Sequence, residues 1–164
     1  MSKMDAGTAY RKSEPVFVQE LLQKSMESIL IPMELRGIRY VQTGVTEDAS
    51  FTGDLAWCSE AVLNVVKNCM EHTPEGGCIM VSCEDTPLYL KLVVEDDGEG
   101  FASEDLPHIF ERFYKGKNAG GQSVGIGLAL ARMITAQMNG SIKAENRPEG
   151  GARFTIMFYR QETV

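Results

Sequence analysis

Glu60, Asn64, Asn68 and His72 recur at every fourth position through the run from Ala61 to Met70, where most of the other side chains are apolar. On a helix of about 3.6 residues per turn these polar groups lie along one slowly drifting stripe. The same helix offers Leu55, Val62, Leu63, Val65, Val66 and Met70 for burial. Two amides carried toward that core side call for a ligand that needs oxygen acceptors or amide donors. A nucleotide with its metal ion has those needs.

A second candidate is Asp96-Asp97-Gly98-Glu99-Gly100, placed where an extended apolar run must end. Glycines at alternate positions let the chain turn with positive φ and let a flat ligand come close to the backbone. An ionised Asp96 can accept a hydrogen bond from an adenine exocyclic amine, directly or through water. Taken alone, the segment reads first as an acidic, solvated turn. A third candidate, Gly120-Gly121-Gln122-Ser123-Val124-Gly125-Ile126-Gly127-Leu128-Ala129-Leu130, is a glycine-rich loop running into an apolar helical pattern. Backbone N–H groups at such a helix start, with the positive end of its dipole, cradle phosphate. A lone Gly-x-Gly also serves packing or loop flexibility. Neither a Walker lysine arrangement nor a Gly-x-Gly-x-x-Gly after a strand is present, so the nucleotide site would be of another kind.

The elements that must position these groups follow from periodicity and punctuation. Pro15 can start a helix to about Leu30, with Val16, Val18, Leu21, Leu22, Met26 and Ile29 for burial. A strand is expected from about Ile38 to Thr43. The amide-bearing helix begins after Asp54 as N-cap and ends near Pro74 and Gly76-Gly77. Cys78 to Glu84 and Leu88 to Glu95 read as a hairpin joined through Asp85, Thr86 and Pro87. A short Leu106 to Phe113 element, a helix from about Val124 to Met138 and two final strands complete a βαββ…αββ order.

The chain has 164 residues, of which 43% are hydrophobic, enough for one domain with a core. Its formal net charge of −7 argues against nucleic acid as a partner, because that affinity needs a basic footprint. No run approaches the roughly 18–20 apolar residues of a membrane span, and the opening Met-Ser-Lys-Met-Asp-Ala-Gly-Thr has no signal-peptide core. A cytoplasmic location is expected. Cys58, Cys69, Cys78 and Cys83 form no Cys-x-x-Cys pair and read as reduced, buried thiols rather than a zinc site. The nine methionines are scattered and suit core gap-filling.

Taken in order, the amide helix, the Asp-x-Gly-x-Gly turn, the Phe110 to Phe113 element and the late glycine loop resemble the N, G1, F and G2 boxes of sensor histidine kinases, over about Phe51 to Phe158. The resemblance implies the GHKL or Bergerat ATP-binding fold. That is an α/β (α+β) two-layer sandwich, whose mixed, mostly antiparallel sheet of about five strands is covered on one face by about three helices. It also implies ATP and Mg²⁺ as cofactors. Asn68 then matches the amide that ligates Mg²⁺, with Asn64 as its partner one turn earlier, and one amide oxygen suffices because Mg²⁺ also keeps phosphates and waters. Asp96 matches the adenine-reading carboxylate, and Gly98 and Gly100 the glycines that shape the base pocket. Gly125, Ile126, Gly127 and Leu128 match the phosphate loop. Phe110 and Phe113 match the aromatics that anchor a lid of about Tyr114 to Val124, although ordinary core packing is the plainer use of both. Arg112, Lys115 and Lys117 can reach phosphate oxygens or belong to a solvated loop. His72 falls in the nucleotide-binding set by position, while as a lone imidazole at a helix end it reads as a packing or capping residue.

Departures from the family pattern are specific. Glu71 stands where many relatives carry a lysine, and Ala129 where a third glycine is common. His72 and His108 both lie inside the ATP-binding segment, so no phosphoacceptor histidine sits in a dimerisation helix. The resemblance therefore implies a catalytic fragment: residues 1–14 as the tail of a linker from a missing dimerisation helix, and 15–164 as the ATP-binding domain. Such a fragment would be inactive in autophosphorylation by itself. It would transfer the ATP γ-phosphate to a histidine on a separate dimerisation and phosphoacceptor domain, for relay to an aspartate of a response regulator. The parent would be a homodimeric sensor anchored in the bacterial cell membrane. A GHKL-type ATPase, a serine-kinase anti-sigma factor and a non-catalytic nucleotide-binding module are the alternatives; hydrolysing relatives place a water-activating glutamate where this chain has Asn64.

Overall fold

A computed structural model describes residues 11–114 and 125–160 of the chain. Its main sheet has the order β2-β4-β5-β7-β6, built from β2 (Arg39–Thr43), β4 (Cys78–Asp85), β5 (Tyr89–Asp96), β7 (Ala152–Tyr159) and β6 (Gly140–Asn146). β2 runs parallel to β4, and the other pairs are antiparallel. β1 (Glu14–Phe17) and β3 (Ser50–Gly53) form a separate two-stranded ribbon. The helices are α1 (Val18–Met26), α2 (Leu30–Leu35), α3 (Leu55–His72) and α4 (Gly127–Gln137). α3 packs against both α1 and α4. The two-layer sandwich with a mixed, mostly antiparallel five-stranded sheet is the expected architecture.

Strand alternation decides which face the helices cover. Leu90, Leu92 and Val94 of β5 are fully buried while Lys91, Val93 and Glu95, which alternate with them, are half-buried. On β7 the matching residues are Phe158, Ile156 and Phe154, in register with Leu90, Leu92 and Val94. Phe51 of β3 stacks on Phe158 at 3.9 Å between ring centroids, which joins the small ribbon to the main core. α3 buries Trp57, Val62, Val65, Val66 and Cys69 against these layers. Asp54 caps it as expected, its Oδ1 accepting from Trp57 N–H at 3.1 Å. Cys58, Cys69 and Cys78 are buried and Cys83 half-buried, all as free thiols.

The first helical segment differs from the sequence reading. Pro15 lies in β1, opposite Thr52 of β3, and the helix begins only at Val18. Proline's fixed φ suits an extended edge as well as a helix start, and the long-range pairing with β3 decides between them. α1 then stops at Met26, and α2 takes up the chain from Leu30 with Pro32 in its first turn. A continuous helix would set the Pro32 ring against the carbonyl of Ser28, whereas a first-turn proline forfeits no intrahelical bond. The Leu106 to Phe113 element reduces to a single 3₁₀ turn, Leu106–His108. The last helix starts at Gly127 rather than Val124. Residues 1–10 of the expected linker tail lie outside the described residues; Glu14 already pairs with Gly53. Among the described residues, no helix is long and apolar enough to cross a membrane.

Candidate functional site

The polar stripe of α3 runs along the border between core and surface, with Glu60, Asn64, Asn68 and His72 all half-buried. Asn64 spends its Nδ2 on the carbonyl of Glu60, at 3.0 Å. Its Oδ1 faces the start of α4, where a Cβ on Gly127 would come within 3.1 Å of it. Asn68 Oδ1 is buried and has no hydrogen-bond partner. Leaving a buried acceptor unpaired costs about 1–3 kcal/mol. His72 meets Phe101 edge-on at 5.5 Å, and Phe101 in turn meets Phe154 at 6.0 Å. The imidazole is thus packed against an aromatic, while the His72 carbonyl touches the next part of the site.

That part is the turn after β5. Asp96 is fully buried at the strand's last position. Its Oδ1 accepts from Gly98 N–H at 3.0 Å and from Ala152 N–H at 3.1 Å. Its Oδ2 is buried without a partner. Burial pushes the neighbouring Cys69 thiol well above its usual range, and the charge of Asp96 and then the thiol's own contact with that carboxylate add to the effect. Gly98 passes so close to α3 that a Cβ there would lie 2.1 Å from the carbonyl oxygen of His72. Gly100 has φ +74°, and a Cβ there would sit 2.7 Å from Asn146 Oδ1. Asp97 is structural: its Oδ1 accepts from Cys78 N–H at 2.9 Å.

The third part is the helix start at α4. Ile126 occupies the N-cap and offers no side-chain hydrogen bond, so the donors of the first turn, at Gly127 and Leu128 among them, lack an internal cap. Leu128 is buried and Ile126 exposed. Phe113 N–H donates to the Gly125 carbonyl at 2.7 Å, joining the chain before residue 115 to the chain after 124. The two paired aromatics separate here. Phe110 is half-buried and meets Phe154 edge-on at 6.4 Å, whereas Phe113 has φ +66°, a ring 70% exposed, and Arg112 stacked 5.8 Å from its centroid. Phe113 thus meets Gly125 through its backbone while its side chain stays exposed. Tyr114 O–H donates to Asp105 Oδ1 at 2.5 Å, which pushes the phenol up to about 12. Lys115, Lys117 and the segment Gly120 to Val124 lie outside the described residues.

Sequence order therefore brings Asn64, Asn68, His72, Asp96, Gly98, Gly100, Gly125 and Gly127 into one neighbourhood of α3, the β5 turn and the α4 start. Asn146, Arg147 and the N–H of Ala152 belong to it as well, and the sequence reading missed them. A Pro-Glu-Gly-Gly turn signals only a hairpin, and nothing local says that it will meet a carboxylate some fifty residues earlier. Chemically, the neighbourhood presents a free carboxylate oxygen, a free amide oxygen and uncapped N–H donors. It suits a ligand with a hydrogen-bond donor at one end and anionic, cation-bound groups at the other.

The family described as histidine kinase-, DNA gyrase B-, and HSP90-like ATPase matches residues 53–162. Sensor protein SphS of Synechococcus elongatus is 33% identical, over 100% of this chain and 42% of its own length. Sensor protein CreC of Escherichia coli is 28% identical, over 99% of this chain and 32% of its own. The chain thus spans less than half the length of these curated relatives. Among solved structures, the mycobacterial sensor histidine kinase MprB superposes with a TM-score of 0.76 at 25% identity, covering 90% of this chain and 97% of that one. Histidine kinase ThkA in complex with response regulator protein TrrA shares the fold, with a TM-score of 0.76 at 23% identity, covering 91% of this chain and 42% of that one.

Proposed function

This chain belongs to the histidine kinase-, DNA gyrase B-, and HSP90-like ATPase family, and we propose that it is the ATP-binding catalytic domain of a sensor histidine kinase. The observation that carries the reading is the pair of buried, unpartnered acceptors, Asn68 Oδ1 on α3 and Asp96 Oδ2 at the end of β5. Asp96 Oδ2 would accept from the adenine exocyclic amine. Gly98 and Gly100 would admit the base beside Asp96, with His72 at its edge, and the first-turn N–H groups of α4 would face the phosphates.

Asn68 fits Mg²⁺, because a free amide oxygen is a hard ligand and Mg²⁺ needs few protein oxygens beside phosphates and waters. Bound there, the ion supplies charge neutralisation to the phosphate oxygens. Asn64 would support this end of the site through its contact with Gly127, and Lys115 would contribute from the lid. A water-activating base is not provided at Asn64, whose Nδ2 is committed to the Glu60 carbonyl. Transfer to a protein acceptor therefore fits this chain better than hydrolysis.

The acceptor would be a histidine on a dimerisation domain joined through residues 1–14, with 15–164 as the ATP-binding domain. Of the two histidines here, His72 packs on Phe101 and His108 pairs with Glu111 at 2.6 Å. The phosphoryl group would pass on to a response regulator, the class of partner seen with ThkA. The parent would be a homodimer anchored in the membrane, with this domain in the cytoplasm.

The test is phosphorylation of a separately supplied dimerisation domain by wild type and Asn68→Ala. We expect Asn68→Ala to bind nucleotide without its dependence on Mg²⁺ and to lose about 100-fold or more in transfer, about 2.7 kcal/mol or more. Full transfer by Asn68→Ala would refute the assignment.

A further inference from the structure

Resting on the reading of Asp96 as the base-recognising carboxylate, we propose that Asn146 and Arg147 are positioning residues that latch the Asp96–Phe101 loop and so set the selectivity for the base. Both ends of that loop are held by the end of β6. Asn146 spends its whole side-chain amide on Phe101, Oδ1 accepting from Phe101 N–H and Nδ2 donating to Phe101 O, each at 2.8 Å. It imitates a strand partner for a residue that has none.

At the other end, Arg147 Nη1 donates to the main-chain carbonyl of Asp96 at 2.6 Å. Its Nε lies 3.0 Å from Glu149 Oε1 and 3.4 Å from Glu95 Oε2. The guanidinium side chain is only 13% exposed, so this fork is shielded and geometrically restrictive. Arg153 closes the network on the same Glu95 oxygen at 3.0 Å.

The turn that follows completes the clamp. A Cβ on Gly151 would lie 1.9 Å from the Asp96 carbonyl, so the two backbones are in direct contact, and Ala152 N–H then reaches Asp96 Oδ1. Oδ1 is thereby fully engaged and Oδ2 is the oxygen left free. Which carboxylate oxygen meets the base is decided by a hairpin some fifty residues away.

Loss of the latch lets the carboxylate rotate or recede. It should then weaken recognition of the base more than the grip on phosphates, whose donors lie on α4. Calorimetric titration of the 164-residue chain with non-hydrolysable ATP and GTP analogues separates the two. Arg147→Met and Asn146→Ala are each expected to lower the ATP:GTP affinity ratio about tenfold. Arg147→Lys, which keeps the charge near Glu95 and Glu149 but loses the fork, should fall between and guards against a variant that simply unfolds. In the nucleotide-free chain, amide exchange at Gly98 and Ala152 should accelerate in the same variants.

An unchanged ratio in both variants, or equal loss for both nucleotides, would overturn the latch while leaving the ATP site standing. A wild-type chain that binds neither nucleotide would overturn the site reading and the latch with it.

Discussion

Asp96→Asn isolates the chemistry of one oxygen. In the native chain Oδ1 accepts two backbone N–H bonds, from Gly98 and Ala152. An asparagine must put its carbonyl oxygen there, because its NH₂ group cannot accept. The NH₂ group then takes the place of Oδ2, and a donor faces the exocyclic amine of adenine. The lost bond to a charged acceptor is worth about 1.5–3 kcal/mol. ATP affinity should therefore fall about 10- to 150-fold. Guanine carries an acceptor where adenine carries that amine, so GTP should lose far less and can gain. Stability responds differently. Removing the desolvated charge favours the variant, while two N–H bonds to a neutral acceptor are weaker, and the offset keeps the net change within about 1 kcal/mol, or about 4 °C in Tm. Calorimetric titration with both nucleotides and thermal melts without them test each half. Wild-type ATP affinity in Asp96→Asn, or an equal fall for ATP and GTP, would refute the reasoning.

Arg36 donates from Nη1 to Met70 O at 2.7 Å and from Nη2 to Thr73 O at 3.0 Å, satisfying carbonyls at the C-terminal end of α3. Arg36→Ala should lower stability by about 1–2 kcal/mol, a Tm fall of about 2–8 °C, measured by calorimetric melting; an unchanged Tm would show that solvent serves those carbonyls equally well. Tyr114 is held up at about 12 by donation to Asp105, so its neutral form is favoured in the folded chain. The stabilisation is fully present below about pH 10 and is lost as pH rises through 12. Phenolate absorbance should show this residue titrating late, and Asp105→Asn should return it toward the ordinary tyrosine range; a profile insensitive to Asp105→Asn would mean the bond does not form in solution.

What could be read from the sequence was whatever is written locally. β4 and β5 are extended runs on either side of a proline-bearing turn, Asp54 and Pro74 bracket α3, and the amide stripe needs only helical spacing to appear. β1 and β3 are four-residue strands with no alternation to detect, and each exists because the other is there. Pro15 satisfies a helix start and an extended edge equally, and only the pairing with Thr52 of β3 selects the edge. The same holds within the site. Gly98 announced a close approach but not that the His72 carbonyl was the group approached, and Phe113 announced an aromatic anchor but not a left-handed backbone with an exposed ring.

The illegible part of the site is also the part that fixes its geometry. Asn68 Oδ1 and Asp96 Oδ2 are buried without a protein hydrogen-bond partner, and their own segments alone do not hold them so. Asn68 is fixed by α3, which Arg36 and the Asp54 cap secure at its two ends. Asp96 is fixed from outside its own strand, by Ala152, Gly151 and Arg147. A ligand at about 100 times its dissociation constant would stabilise the folded state by about 2.7 kcal/mol. On the proposed assignment a nucleotide would supply the missing partners of Asn68 and Asp96, and the residues that hold those two side chains in place would contribute to recognition through them.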